Sequence, residues 1–386
     1  MNIGLYCNWG VVLKKDGFYI SAIHAKYILA FLDKSEKITL LSKVKKNGVE
    51  DGDVFLSYNR ITVISLPSFH NYVGAIKYFK EIKNGIKELQ AVSSFIYVRT
   101  PEPFSWLLMN HKTTSVNYHF TSNPIQVIKN KKISKFKKVI LLMLFYPEYL
   151  LTCFSAYFSL CSSNGDSVKS NVPFFLRNKL KILIESSITS KEMRTALSSK
   201  KVINNSGDKL INYICVCRFV PAKGIEVLVD AIFRLVNEKK IHNISLTFVG
   251  DGPIYQDVKN LVEQYELQKY IIFKGFVENG PELFEIYKKS DVFINPSLSE
   301  TGPRVILEGM AYSLYCITTD VGYCKRVLSD GNKIYGYVIN RDSSNELMDA
   351  MLYVHNNFDS CLLDGLHCQK IVQEYTLDNF INEVIR

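Results

Sequence analysis

From Asn212 to Asn357 the chain alternates short apolar runs with stretches of helical periodicity, and nothing else in it constrains the fold as strongly. NYICVC reads as a strand, and Ile225, Leu228, Val229, Ile232, Leu235 and Val236 then fall on one face of a helix. SLTFVG, YIIFKG, DVFINPS, LYCITTD and KIYGYVI continue the strands, with IYQDVKNLVEQY, PELFEIYKKS, RVILEGMAY and NELMDAMLYVHNN as the intervening and closing helices. Strands alternating with helices at short spacing give βαβ units and a largely parallel sheet. Ligands bind such sheets beyond the carboxyl ends of the strands, where loops enter helix N-termini. The loops 218–224, 250–254 and 296–304 are therefore where chemistry is expected.

The first half reads as α/β with weaker periodicity. Strands are expected at Asn2–Cys7, Lys37–Leu41, Val54–Leu56, Ile61–Leu66, Ser94–Arg99, Thr114–Tyr118 and Ala156–Cys161, and helices at Ile20–Leu32 and Tyr72–Gln90. The first helix takes its apolar face from Ile20, Ile23, Tyr27, Ala30 and Phe31. At 386 residues the chain exceeds one core of ordinary size. Two domains are expected, 1–186 and 187–370, joined through the polar stretch Lys181–Asp208, with 371–386 a C-terminal helix packing back towards the first. No internal repeat is evident.

Charge is divided unevenly. Residues 1–186 hold 25 Lys and Arg against 12 Asp and Glu, while residues 187–386 hold 22 against 25. A basic half facing an acidic one points to an anionic partner for the first. Its densest patch, Lys129, Lys131, Lys132, Lys135, Lys137 and Lys138, runs straight into VILLMLFYPEYLLTCF. Pro147 and Glu148 in the middle speak against a membrane span. Two readings stay open: a core helix with a solvated lysine-rich end, or docking of lysines and apolar side chains at an anionic lipid surface. No nucleic-acid-binding motif accompanies the basic face, so no nucleic-acid partner is expected. The opening MNIGLYCNWG reads as a strand rather than a secretory signal. Nine scattered cysteines, with Cys215 and Cys217 inside an apolar run, do not form a disulfide framework, and a cytoplasmic setting is expected.

Three loops carry candidate chemistry. Arg218-Phe-Val-Pro-Ala-Lys223-Gly places two cations between a strand end and a helix start, a cradle suited to a diphosphate. Val249-Gly250-Asp251-Gly252-Pro sets two glycines in a strand-to-helix turn, where either a tight turn or a close ligand would call for them. It is neither a GxGxxG fingerprint nor a P-loop. Ser299-Glu300-Thr-Gly302-Pro303-Arg304-Val-Ile-Leu-Glu308 brackets a helix start with two carboxylates, and the N–H groups of Gly302 and Arg304 are available there because Pro303 has none. Glu308, about a turn into the helix, is placed to accept hydrogen bonds from vicinal hydroxyls such as those of a ribose.

Taken together, CRFVPAKG, FVGDGP and the Glu300–Glu308 pair resemble the phosphate loop, glycine turn and E-x7-E motif of the retaining GT-B glycosyltransferases of family 4, usually called glycosyl transferases group 1. The resemblance covers roughly residues 205–340 and is loose in the N-terminal half. It implies two Rossmann-like domains facing each other across a cleft, with 1–186 binding the acceptor and 187–370 the nucleotide sugar. It also implies a nucleotide-diphosphate sugar as donor, transfer with retention, and no metal ion or other cofactor. On that resemblance Arg218 and Lys223 hold the departing diphosphate, Glu308 binds the ribose, Glu300 meets the donor sugar, and Gly302, Arg304, Gly250 and Gly252 line the donor site. Gly10 is similar to the family's N-terminal loop glycine, and His119 looks like its histidine facing the sugar. His24 is a weaker candidate, and Arg99, Pro101 and Pro103 could line the same face.

The departures are Cys217 for a glycine before the arginine, Tyr323 for the second glycine of a late V-G-G segment, Gly309 for an alanine, and Arg326 near a usual glutamate. The seven histidines are dispersed, in keeping with a metal-independent enzyme in which fixed cations stabilise the leaving group. The basic, apolar first half fits a lipid-linked saccharide acceptor at the inner-membrane surface, as in O-antigen or capsule assembly. A non-catalytic GT-B partner subunit and a GT-B nucleotide-sugar 2-epimerase remain as alternatives.

Overall fold

The computed structural model describes residues 1–110, 114–122, 124, 125, 128, 133–198 and 210–386. It divides into two units, one of Met1–Ile184 with Phe380–Arg386 and the other of Glu185–Asn379. Lys129, Lys131 and Lys132 of the basic patch lie outside the described residues, as does the 199–209 part of the expected linker.

The first unit is built on a parallel sheet of seven strands: β1 (Asn2–Tyr6), β4 (Lys37–Lys43), β6 (Ile61–Leu66), β7 (Phe95–Thr100), β8 (Ser115–Phe120), β9 (Leu160–Ser163) and β10 (Lys181–Ile182). Their order is β10-β9-β8-β7-β1-β4-β6, so the winding reverses between β1 and β7. A small antiparallel sheet of β2 (Val12–Leu13), β3 (Gly17–Ser21) and β5 (Asp53–Ser57) is set beside it. The expected first helix starts later than its apolar spacing suggests. Ile20 belongs to β3, where it pairs with Val54, and the helix runs Ala22–Leu32. Buried β3 residues and the helix's own apolar face follow one another in sequence, which merges two periods into one.

Ala156 is likewise helical. The helix Lys135–Tyr157 continues past it, and the strand begins at Leu160. Burial in that helix is confined to its second half, from Glu148 to Ala156, while Phe136 (75% exposed) and Met143 (70%) point to solvent. The final helix, Leu377–Ile385, gives Phe380 and Val384 to the first unit's core, and Asn117 Nδ2 donates to the Val384 carbonyl at 2.8 Å.

The second unit has a six-stranded parallel sheet: β11 (Ile211–Val216), β12 (Ile244–Val249), β13 (Ile271–Phe273), β14 (Val292–Asn295), β15 (Tyr315–Thr319) and β16 (Gly336–Ile339). Its order, β13-β12-β11-β14-β15-β16, is that of a doubly wound α/β sheet reversing between β11 and β14. The helix Ile225–Asn237 buries Ile225, Leu228, Val229, Ile232, Leu235 and Val236 against this sheet, the face its periodicity predicts. Each such side chain contributes roughly 1.5–3 kcal/mol when fully buried. The segment before Ser190–Ser198, a helix, is itself buried from Leu183 to Ile188.

Candidate active site

A reversal in winding leaves a crevice at the carboxyl ends of the two strands that flank it, because the helices that follow them depart to opposite faces. In the second unit these strands are β11 and β14, and the loops that leave them are Cys217–Gly224 and Pro296–Pro303. The sequence motifs therefore stand at the switch point of the sheet.

The two loops are tied together. Leu298 N–H donates to the Ala222 carbonyl at 2.9 Å, and Lys223 Nζ forms an ion pair with Glu300. Behind the second loop, Thr319 Oγ1 donates to the Ser297 carbonyl at 2.6 Å and Ser297 Oγ donates to Asn295 Oδ1 at 2.7 Å. Arg218, at the start of the first loop, is exposed, and its guanidinium has no hydrogen-bond or ion-pair partner among the described residues. Lys223 and Glu300 largely neutralise each other, which leaves Arg218 as the open positive charge of the loop.

The glycine turn supports this loop from below. Phe219 N–H donates to the Asp251 carbonyl at 2.9 Å, and Cys217 N–H donates to that of Val249 at 3.0 Å. A Cβ on Gly250, whose φ is +135°, would lie 1.9 Å from the Cys217 carbonyl oxygen. Glycine is thus required by backbone packing. Gly250 and Gly252 set the Arg218 loop in place, whether or not a ligand also approaches them.

Glu308 sits on the helix Arg304–Ala311, which Pro303 caps, and is buried. Its Oε1 accepts from Ser187 Oγ at 2.5 Å and Asn279 Nδ2 at 2.8 Å, and its Oε2 accepts from Tyr287 Oη at 2.9 Å. Burial, reinforced by the neighbouring Glu308 charge, pushes the Tyr287 phenol well above its ordinary range, so it serves as a donor. The motif reading did not reach Ser187, Asn279 or Tyr287, and no local pattern marks them. The departure at Gly309 has a packing cause, since a Cβ there would come within 2.9 Å of the Phe293 side chain on β14. Tyr323, in place of a glycine, is buried and its hydroxyl donates to the Glu185 carbonyl at 3.4 Å.

The second unit thus brings Arg218, Lys223, Gly250, Gly252, Glu300, Gly302, Arg304 and Glu308 to the loops of one sheet end. Gly10 and His119 belong to the first unit. Gly10 follows β1 with φ of +81°, and its N–H donates to Ser42 Oγ at 3.2 Å. His119 requires a correction. It lies inside β8 rather than after it and is fully buried, with Nδ1 2.8 Å from Ser162 Oγ and its ring edge against Phe380. Its surroundings are those of a core residue under the final helix. His24, half-buried, holds Ser21 Oγ at 2.8 Å and stacks on Trp9 in the loop after β1.

Among the described residues no three His, Cys, Asp or Glu side chains are grouped to hold a metal ion. The one Asp-x-Asp triplet, Asp51-Gly52-Asp53, is engaged otherwise, with Asp53 Oδ2 2.8 Å from Lys45 Nζ. All nine cysteines are free thiols.

Residues 211–357 match the family model described as glycosyl transferases group 1. An uncharacterized glycosyltransferase of Methanocaldococcus jannaschii is 30% identical over 161 residues, covering 41% of this chain and 42% of that protein. The alpha-monoglucosyldiacylglycerol synthase of Acholeplasma laidlawii is 31% identical over 178 residues, covering 46% and 42%. The matched region thus spans less than half the length of these relatives. Among solved structures, a sucrose-phosphate synthase from Thermosynechococcus elongatus aligns over 99% of this chain and 97% of its own, at 16% identity and a TM-score of 0.68. Anabaena HepE, solved with UDP and glucose, aligns over 100% and 98% at 13% identity and a TM-score of 0.66. At these identities the solved structures establish the fold. The chain carries a glycosyl transferases group 1 domain, within a GT-B fold.

Proposed function

We propose that the chain transfers a sugar, with retention and without a metal ion, from a nucleotide-diphosphate sugar to a hydroxyl of a lipid-borne saccharide at a membrane surface. The observation that carries this reading is the pairing of Lys223 with Glu300 across the β11/β14 switch point, beside the open charge of Arg218. The bond from the anomeric carbon to the diphosphate oxygen breaks with its electron pair leaving on the diphosphate. Arg218 and Lys223 oppose the negative charge that builds there. The acceptor oxygen bonds to the anomeric carbon from the same face, and its proton passes to the departing phosphate oxygen. Glu300, released from Lys223 as the diphosphate arrives, is then free to hold donor-sugar hydroxyls. Glu308, anchored from three sides, offers its remaining lone pairs to the ribose.

A relative named as a glucosyldiacylglycerol synthase supports a lipid-borne acceptor. So does the apolar face of the helix Lys135–Tyr157, with Lys135 and Lys137 exposed at its start. O-antigen or capsule assembly on the cytoplasmic face of the inner membrane is the setting we infer. The test is release of nucleoside diphosphate from a panel of nucleotide sugars, in EDTA, with octyl glycosides as acceptors. Turnover by the wild type that falls at least about 100-fold in Glu300→Gln supports the reading. Turnover that survives the substitution, or none from a protein that binds nucleotide, opposes it.

A further inference from the structure

Cys215 and Cys217 stand two residues apart where the chain leaves β11, so their side chains fall on the same face of the sheet. Their sulfurs are 4.0 Å apart, close enough for one thiol to donate to the other. Of the nine cysteines only Cys217 is not buried. Solvent therefore meets a thiol at Cys217, and a second thiol stands directly behind it. The contact with Cys217, together with burial, holds the Cys215 thiol well above its ordinary range, against the pull of the Lys223 ammonium. Cys215 thus rests protonated and is the donor of the pair. Cys217 stands where the motif has a glycine, and the transfer chemistry above makes no use of its sulfur.

Two residues along an extended strand span about 6.6 Å, near the upper end of the Cα separations of about 4.4–6.8 Å that disulfides tolerate. A bridge can therefore close, but the sulfurs must come from 4.0 Å to about 2.05 Å, and backbone must move with them. Cys215 has little freedom to do so, because it lies inside β11, paired with Phe248 on β12 and packed in the core. The movement falls on Cys217. Its N–H donates to the Val249 carbonyl at 3.0 Å, and its own carbonyl oxygen lies against Gly250, where a Cβ would approach to 1.9 Å. On the far side Phe219 is fully buried, and its N–H donates to the Asp251 carbonyl at 2.9 Å. Arg218 is the single residue between the sulfur that moves and the ring that does not. Closure is absorbed in its backbone dihedrals and re-aims its guanidinium.

We propose that Cys215 and Cys217 form a peroxide-sensitive dithiol whose closure to a disulfide withdraws Arg218 from the diphosphate cradle. The Cys217 sulfur attacks a peroxide oxygen as the thiolate, the O–O bond breaks, and a sulfenic acid and one water result. The Cys215 sulfur then bonds to that of Cys217 and expels hydroxide, which takes the Cys215 proton and leaves as a second water. The two sulfurs supply both electrons, and the peroxide is reduced to water. A small thiol reverses the step by exchange, and a bridge at the edge of the allowed geometry is readily reduced. Transient bridges of this kind suit a reducing compartment, where structural disulfides are rare. The effect on nucleotide binding rests on the transferase reading above, whereas the bridge itself does not.

Trypsin cuts after Lys209 and Arg218, so the peptide Leu210–Arg218 carries both sulfurs and no other cysteine. The whole protein would be treated with hydrogen peroxide, blocked with iodoacetamide, digested and examined by mass spectrometry. UDP, GDP, ADP and CMP would be titrated calorimetrically into the reduced, oxidised and dithiothreitol-treated forms. The oxidised wild type should give this peptide unalkylated and two hydrogens lighter, and dithiothreitol should restore alkylation of both cysteines. Oxidation should raise the dissociation constant of the nucleotide that binds about tenfold or more, or about 1.4 kcal/mol, and reduction should bring it back. In Cys217→Ser, compared with its own reduced form, peroxide should leave affinity unchanged. A peptide that stays doubly alkylated, or gains only sulfinic or sulfonic acid, would overturn the proposal. So would a bridge that leaves nucleotide affinity unaltered, or an equal loss of affinity in Cys217→Ser. A bridge that forms and reverses in a protein binding no nucleotide even when reduced would instead defeat the transferase reading and leave the dithiol standing.

Discussion

Lys223 and Glu300, from loops 77 residues apart in sequence, meet as an ion pair across the β11/β14 switch point. The pair leaves the diphosphate cradle with one committed cation and one open one. A phosphate must displace Glu300 to reach Lys223, whereas Arg218 is already available. Arg218→Ala should therefore weaken nucleoside-diphosphate binding more than Lys223→Ala does. A charge-assisted hydrogen bond lost from Arg218 corresponds to about 1.5–3 kcal/mol, or roughly 10- to 150-fold in affinity. Calorimetric titration of both variants checks the order, and equal losses or the reverse order would refute it.

Glu308 is held by three donors, so its substitution tests structure as well as binding. Glu308→Gln puts an amide N–H where Oε2 accepted from the Tyr287 hydroxyl, which must turn from donor to acceptor, and replaces the charged acceptor of Ser187 and Asn279 by a neutral one. A loss of about 1–3 kcal/mol in stability is expected, a few degrees in the melting temperature. A second substitution, Ser187→Ala, should cost less, because Asn279 and Tyr287 still serve the carboxylate. Urea unfolding of the two variants would show this, and equal costs would mean that the Glu308 network is not as described.

The buried carboxyls of the first unit make its stability depend on pH in an unusual direction. Glu102 and Glu148 are raised to about 8 and about 7, against about 4.3 for glutamate in an unfolded chain. The folded state therefore keeps protons that the unfolded chain has already released. Their contribution is full below about pH 4 and declines as pH rises through about 7 and about 8. Each group adds a slope of at most about 1.4 kcal/mol per pH unit. Urea midpoints at pH 5 and 8.5 should fall more steeply for the wild type than for Glu102→Gln/Glu148→Gln. Parallel pH profiles would contradict the assignment.

The apolar face on the first unit should act at a lipid surface. Phe136 and Met143 on the helix, and Phe174 (79% exposed) by its far end, are large side chains left in water, and Phe175 joins the Phe174 segment to the helix through Tyr157. Burying one such side chain in a bilayer interface is worth about 1.5–3 kcal/mol. Flotation with phosphatidylglycerol vesicles should recover the wild type, with recovery reduced by salt that screens the lysines. Met143→Asp/Phe174→Asp should lower the partition at least about tenfold. Equal recovery of the variant, or none of the wild type, would remove the membrane from the account.

The donor loops were legible because each motif is contiguous. Arg218 to Gly224 and Glu300 to Glu308 can be read from neighbouring residues, and the strand-helix alternation places them at one sheet end. What those motifs touch was not legible. Glu308 draws Ser187 from 121 residues away, and Glu102 takes Asn8 from 94 away, so only the folded chain joins them. His119 misled because a histidine near a strand end looks the same whether the strand stops before it or runs on through Phe120. In the sequence Glu148 reads only as an obstacle to a membrane span, whereas its role as the acceptor for Phe104 and Trp106 depends on the loop after β7 being in place. The shared winding of the two sheets left no repeat in the sequence, since topology constrains where apolar residues fall and not which ones they are.

The β11/β14 crevice is expected to bind a nucleoside diphosphate through fixed cations alone. The most direct measurement is a thermal-shift panel of UDP, GDP, ADP and CMP with their sugars, in EDTA, on the wild type and Arg218→Ala. At about 100 times its dissociation constant a ligand adds roughly 2.7 kcal/mol of stability. The expected result is a clear shift with one nucleoside diphosphate, undiminished by EDTA and lost in a folded Arg218→Ala. A folded wild type that responds to no nucleotide, or only when a divalent metal is restored, would contradict it.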